Sequence, residues 1–262
     1  MGLSGALKAE WFSVSRRNQK ERRRCARVVA VLALTLSTWA AAKSSDAEVA
    51  ASKSAPIAQN VQQPGANPQA KLAPVPADLS ALLLGMRSAS GVVAHFTETK
   101  ELALLTAPLE ATGVVYFVPP ARLVRVISSP GRSRLVVDGD QVRFEDEGVH
   151  RALDLSSSPI ARQMIDSFVV LFNGDEKRLK ELYTADYQAG VGTWSLHLVP
   201  RSMPLSRMIS AFHLFGTGAR IDRIESVEPD GDRTVTRFGE TDVDHRFSAE
   251  DVARLFAAPP AS

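Results

Sequence analysis

Five histidines, His95, His150, His197, His213 and His245, are the side chains of this 262-residue chain best suited to ligating a metal or moving a proton near neutral pH. They are scattered along the sequence. None stands in the H-x-H or H-E-x-x-H spacing that would bring two ring nitrogens to one cation. The nearest approach to a ligand cluster is DVDH, Asp242 to His245. Read as a strand, it puts Asp242 and Asp244 on one face and His245 on the other, which predicts a structural role. There is no G-x-S-x-G elbow, no P-loop and no G-x-G-x-x-G. The single cysteine, Cys25, has no thiol partner for a disulfide or a thiolate metal site. These absences predict a protein that is not an enzyme and that uses neither metal nor cofactor.

Cys25 also belongs to a distinct leader. RRNQKERRRCAR is a basic stretch, and VVAVLALTLSTWAAA, Val28 to Ala42, is an apolar run of 15 residues ending in small side chains. Ala40 and Ala42 stand in the A-x-A relation of a cleavage site, so residues 1–42 read as a signal peptide and the protein as periplasmic. The other reading is an uncleaved anchor, but fifteen helical residues span about 22 Å against a hydrocarbon core of roughly 30 Å. Cys25 precedes the apolar run, on the wrong side to accept a lipid. Of 31 Lys/Arg and 29 Asp/Glu, the leader holds eight and two; the remaining 23 and 27 leave a balance of −4. The basic overall charge is therefore the leader's, and a nucleic-acid partner is not expected.

Residues 43–77, including QNVQQPGANPQAKLAPVPA, lack the large apolar side chains that offset chain entropy and read as a disordered linker. The folded domain is expected over 78–258, as a monomer. Asp78 caps a first helix with Leu79, Leu82, Leu83 and Met86 at helical spacing. The period then changes to two. VVAHFTET, GVVYFV, RLVRVIS, SRLVVDG, QVRFED and HRALDL are short, β-branched or aromatic, and divided by turn residues. Pro159 opens a second helix carrying Ile160, Met164, Ile165, Phe168, Val169 and Phe172, stopped by Asn173-Gly174, and Asp175 caps a third. TADYQAG, TWSLHLVP, MISAFHLFG, ARIDRIESVE, RTVTRFGE and DVDHRFS read as further strands, and SAEDVARLF as a final capped helix. A sheet of ten or more strands must curl, close or split.

The order of these pieces resembles the LolA family of periplasmic lipoprotein carriers and its relatives. The resemblance runs from about Asp78 to Phe256 and rests on FTETK, PLEATGVVYFVPPARLVR with SSP, RLVVDGDQV, GDEKRLKELY, WSLHLVP and RIESVEPDGDRTVTRF. It implies a mainly β (α+β) fold, a strongly curved antiparallel half-barrel of about eleven strands enclosing a hydrophobic cavity covered by helices. It also implies an activity: binding the acyl chains of a lipoprotein or other lipid-like amphiphile and carrying it between an inner-membrane donor complex and an outer-membrane acceptor. An anchored lipid-sensing module on the same fold is the alternative. Family members carry an arginine latch just before the proline that follows the second strand; here that place is Pro119, so the latch does not carry over.

Both faces of GVVYFV are apolar, so one can pack under a helix while the other lines a cavity. Val114, Tyr116 and Val118 are expected to line it, with Ile160, Met164 and Phe168 of the second helix as its lid. Arg122 and Arg125 are expected at the rim, facing headgroups or a partner.

Overall fold

The computed structural model describes residues 74–146 and 149–258, without the side chain of Phe168. The leader and the linker up to residue 73 lie outside the described residues. Among the described residues, eleven strands form one antiparallel sheet. Six precede a helical excursion: β1 (Val92–Glu101), β2 (Leu109–Val118), β3 (Arg122–Ser129), β4 (Ser133–Asp138), β5 (Gln141–Asp146) and β6 (Val149–Asp154). Five follow it: β7 (Tyr183–Ala189), β8 (Trp194–Pro200), β9 (Ala211–Thr217), β10 (Arg220–Val227) and β11 (Arg233–Asp242). The order is β6-β5-β4-β3-β2-β1-β11-β10-β9-β8-β7. Each chain half is a meander, and the two halves are joined where β1 pairs with β11. The sheet is open and curved, with β6 and β7 at its edges.

Helix boundaries follow local chemistry. Helix α1 (Leu79–Arg87) begins where the Asp78 carboxylate accepts the Ala81 N–H at 2.8 Å. Helix α2 (Pro159–Asn173) opens on proline and ends at Gly174, whose φ of 61° is the left-handed conformation that favours glycine. A Cβ there would also stand 2.1 Å from the Leu83 carbonyl oxygen, so α1 approaches α2 through this residue. Asp175 caps α3 (Glu176–Leu182), and a capping box between Ser248 and Asp251 starts α4 (Ala249–Leu255).

The helices divide the sheet into an inner and an outer face. On the inner face, Leu82, Leu83 and Met86 of α1, Leu171 of α2 and Leu179 of α3 meet Leu196, Leu198, Phe212 and Leu214 of β8 and β9. Helix α2 also reaches the other half, where Ala161, Ile165 and Val169 pack on Leu135, Val137 and Val142. On the outer face, Val252, Leu255 and Phe256 around α4 cover Tyr116, Val118, Val124, Val126 and Val136. The packed chain begins upstream of Asp78: Val75 joins the inner core, and the Tyr187 hydroxyl donates to the Pro76 carbonyl at 2.6 Å.

One expected strand is absent. β11 ends at Asp242, the first residue of DVDHRFS; the chain then turns, and the rest of that segment forms no strand, meeting Gly91 through a bridge at Asp244. The Asp242 carboxylate accepts the Asp244 N–H and meets His245 Nδ1 at 3.1 Å. The turn brings together the two side chains that a strand would have separated.

Candidate functional site

Alternation along the middle strands decides what faces the helices. On β2, Val115 and Phe117 point inward; on β1, Val92 and Ala94 do so. With Phe238 of β11 they form the floor of a cavity of about 240 Å³. Its walls come from the ends of two helices, Gly85 and Met86 of α1 and Leu171 and Phe172 of α2. The Phe172 ring lies 5.6 Å from that of Phe117, tilted by 32°, so wall and floor are joined by aromatic contact. The side toward solvent is marked by exposed lining residues, Ser88, Ala219, Arg220 and Asp244. Arg220 is turned to the β9–β10 hairpin, where it donates to Asp222 at 2.7 Å and to Thr217 at 3.2 Å. An apolar hollow with a polar edge, closed by helix ends, can take an apolar chain and leave a headgroup in water.

Helix α1 rests directly on that hairpin. A Cβ built on Gly85 would lie 2.8 Å from the Ala219 Cβ, so glycine permits the contact that closes this side.

The inner face changes character along β1. Beyond Val92 and Ala94 comes Phe96, packed with Ala111 and Ile127. Then comes Glu98, which accepts from Arg125 at 2.8 Å and from the Thr236 hydroxyl at 2.9 Å. Last comes Lys100, whose residue is 1% exposed and whose ammonium is 3.2 Å from Glu228. Burial pushes the Glu228 carboxyl above its ordinary value, and the Lys100 charge opposes that. Glu228, Asp230 and Asp232 gather their carboxylates in the β10–β11 turn, with Lys100 as the cation beside them.

The residues expected to line the cavity are placed elsewhere. Tyr116 and Val118 are on the outer face, packed with the α4 cluster, and Val114 shares that face by alternation. Both faces of β2 are apolar, and the cavity belongs to the opposite one. Ile160 is 49% exposed at the start of α2. Met164 is fully buried in the inner core rather than at the cavity. Phe168 falls in α2, and its side chain lies outside the described residues. The α2 residues at the cavity, Leu171 and Phe172, are one turn further along.

Neither expected rim arginine is free. Arg122 makes a two-pronged bond to Asp138, at 2.8 and 3.2 Å, and its guanidinium lies 3.9 Å from the Phe256 ring on the outer face. Arg125 points inward to Glu98 and lies 4.6 Å from the Phe96 ring. Arg122 therefore clamps the C-terminal helix, and Arg125 belongs to the ionic end of the inner face.

The family model described as outer membrane lipoprotein carrier protein LolA-like matches residues 71–255. The chain belongs to this family. A search of curated proteins finds no match. Among solved structures, a DUF1329 family protein from Desulfovibrio piger is 11% identical, with a TM-score of 0.39, covering 65% of this chain and 92% of its own. A LolA superfamily protein from Nitrosomonas europaea is also 11% identical, with a TM-score of 0.38, covering 65% of this chain and 94% of its own. The MucA/MucB complex of Pseudomonas aeruginosa matches at 12% identity and a TM-score of 0.38, covering 70% of this chain and 62% of the matched one.

Proposed function

We propose that the protein is a periplasmic, non-enzymatic carrier that takes an apolar chain of a lipoprotein or other amphiphile into the cavity beneath α1 and α2. It receives this cargo from an inner-membrane donor complex and delivers it to an outer-membrane acceptor. The observation that carries this reading is the cavity itself, apolar on floor and walls and polar at its solvent side. Family membership supports it. Its volume of about 240 Å³ is below the roughly 300–1,000 Å³ of pockets that enclose a drug-sized ligand, which suits one chain segment better than a whole cargo.

The energetics of a carrier constrain how the cavity is closed. Burying a chain yields about 0.8 kcal/mol per methylene, so a long chain in a rigid pocket would not be released. A cover that moves off when the cargo enters returns part of that energy as lost packing. The end of α1 is suited to this, because it closes the cavity through the Gly85–Ala219 contact while its anchoring residues Leu82 and Leu83 lie deeper.

Native mass spectrometry of the protein purified from its own envelope fraction, followed by organic extraction, tests the proposal. The expected result is a mass beginning near Lys43 with a bound molecule that carries a long apolar chain. A mass that retains Val28–Ala42, with nothing bound, overturns it in favour of an anchored lipid-sensing module.

A further inference from the structure

The outer face of the second meander brings together four ligand-type side chains that the sequence keeps far apart. Asp186 on β7 is paired with His197 on β8, His197 with His213 on β9, and His213 with Glu225 on β10. Paired residues in an antiparallel sheet share a face. Their neighbours Leu196, Leu214 and Ile224 belong to the inner core, which fixes the row on the outside. The two imidazoles are stacked, with centroids 4.4 Å apart and planes within 10°.

We propose that His197, His213 and Asp186 form a binding site for a divalent transition-metal cation of the zinc type. Two imidazole nitrogens bound to one such cation at about 2.0–2.1 Å stand about 3.3 Å apart at a tetrahedral angle. In the stack the ring planes are nearly parallel and their in-plane nitrogen lone pairs do not converge; the rings reach the chelating arrangement by turning about χ1 and χ2 until the two nitrogens point to one position, which opens the centroids slightly beyond 4.4 Å. The backbone need not move, because the register already holds the two residues opposite each other.

The carboxylate follows from the ion pairs. Glu225 is held by Arg223 at 2.9 Å and Arg233 at 2.6 Å, and Arg223 is itself stacked 3.9 Å over the Phe215 ring. Asp186 is exposed, and its carboxylate accepts from the neighbouring Gln188 amide at 3.1 Å. It can turn to the cation without breaking a buried pair. Two nitrogens and one oxygen suit Zn²⁺, Ni²⁺ or Co²⁺, and not Ca²⁺ or Mg²⁺, which take all-oxygen sets. This site is on the opposite face from the cavity and is independent of the carrier reading.

The test is titration of the chelator-stripped full protein with Zn²⁺ by calorimetry, and with Co²⁺ by its visible absorption. The expected result is one equivalent bound. His197→Ala and His213→Ala each weaken binding about tenfold or more, and Asp186→Asn does so less, while His95→Ala and Asp230→Asn leave it unchanged. Because His197 and His213 are half-buried, the unmutated protein supplies a second readout. Zn²⁺ should shift the imidazole NMR signals of these two residues and leave those of His95, His150 and His245 in place. Failure to bind, binding that moves with Asp230, or unmoved His197 and His213 signals each overturn the proposal.

Discussion

The two faces of β2 are built from similar residues and do different work. Outward, Tyr116 and Val118 are covered by Val252, Leu255 and Phe256 around α4. The end of that helix is held from three strands: Arg134 and Arg143 donate to the carbonyls of Leu255 and Phe256, the second at 2.6 Å, and Arg122 lies against the Phe256 ring. Inward, Val115 and Phe117 meet the ends of two helices that stop short of filling the space between them. A strand apolar on both sides therefore does not define a binding surface. The cover does: a helix clamped across its end makes core, and helix ends meeting over a floor make a cavity.

Truncating one large ring on each face gives the strongest test of that difference. Phe117→Ala and Phe256→Ala each remove a ring buried to within a few per cent. Both are expected to lower stability by about 3–5 kcal/mol in urea denaturation, less for Phe256 if the terminal segment relaxes. Binding of a fluorescent fatty acid separates them. Phe117→Ala alters its affinity and preferred chain length, because the floor drops away, and Phe256→Ala leaves both unchanged. Equal changes in binding would mean that the outer helix and the cavity are not independent.

A smaller effect on stability, with a larger one on binding, is expected from filling the space. Val115→Phe adds apolar volume on the cavity floor. Overpacking costs about 1–3 kcal/mol where no room exists, and a cavity of about 240 Å³ should absorb most of that. The same change at Val136, 0% exposed beneath the outer cluster, has no such room and should cost the full amount. Thermal melts and probe binding read the pair together: a stable, non-binding Val115→Phe and an unstable, binding Val136→Phe.

These residues also show how far the sequence was legible. Caps, turn residues and the change of period marked nearly every element, because each depends on a few adjacent side chains. Asp78, Pro159, Gly174 and Ser248 stand where their chemistry places them. Alternation gave the period of β2 but not its phase, since Val114 and Val115 are the same residue type on opposite faces. Only the position of the helices, set by packing distant in sequence, decides between them. The same limit hid the row through His197 and His213, which is made by strand register rather than by a local motif. DVDH failed for the converse reason: a turn brought Asp242 to His245 where alternation kept them apart.

Gly85→Ala probes how the cavity is closed. The added methyl meets the Ala219 Cβ at 2.8 Å, and the hairpin or the helix end must give. The overpacking penalty of about 1–3 kcal/mol is offset by about 0.5–1 kcal/mol of gained helix propensity, so the expected net loss is about 0–2.5 kcal/mol. The kinetic effect is the informative one. With α1 held off the hairpin, probe release should quicken in stopped-flow displacement. An unchanged release rate would show that the cavity opens elsewhere.

The smallest expected effect lies at the ionic end of the inner face and tests whether that end is a fixed counterpart to the cavity. Glu228 has its carboxyl pKa raised by burial, against the pull of Lys100. An acid whose folded pKa is above its unfolded one holds its proton more tightly when folded. Its contribution to stability is therefore fully present below the unfolded value near 4.5 and is lost as pH rises through the raised one. Glu228→Gln keeps the shape and removes the titration. The melting temperature of the unmutated protein minus that of the variant should thus grow more favourable to the unmutated protein as pH falls from neutrality toward 4.5. A difference that shrinks over this interval would mean that attraction to Lys100 outweighs desolvation, and that the ion pair stabilises the fold at neutral pH instead of being tolerated by it.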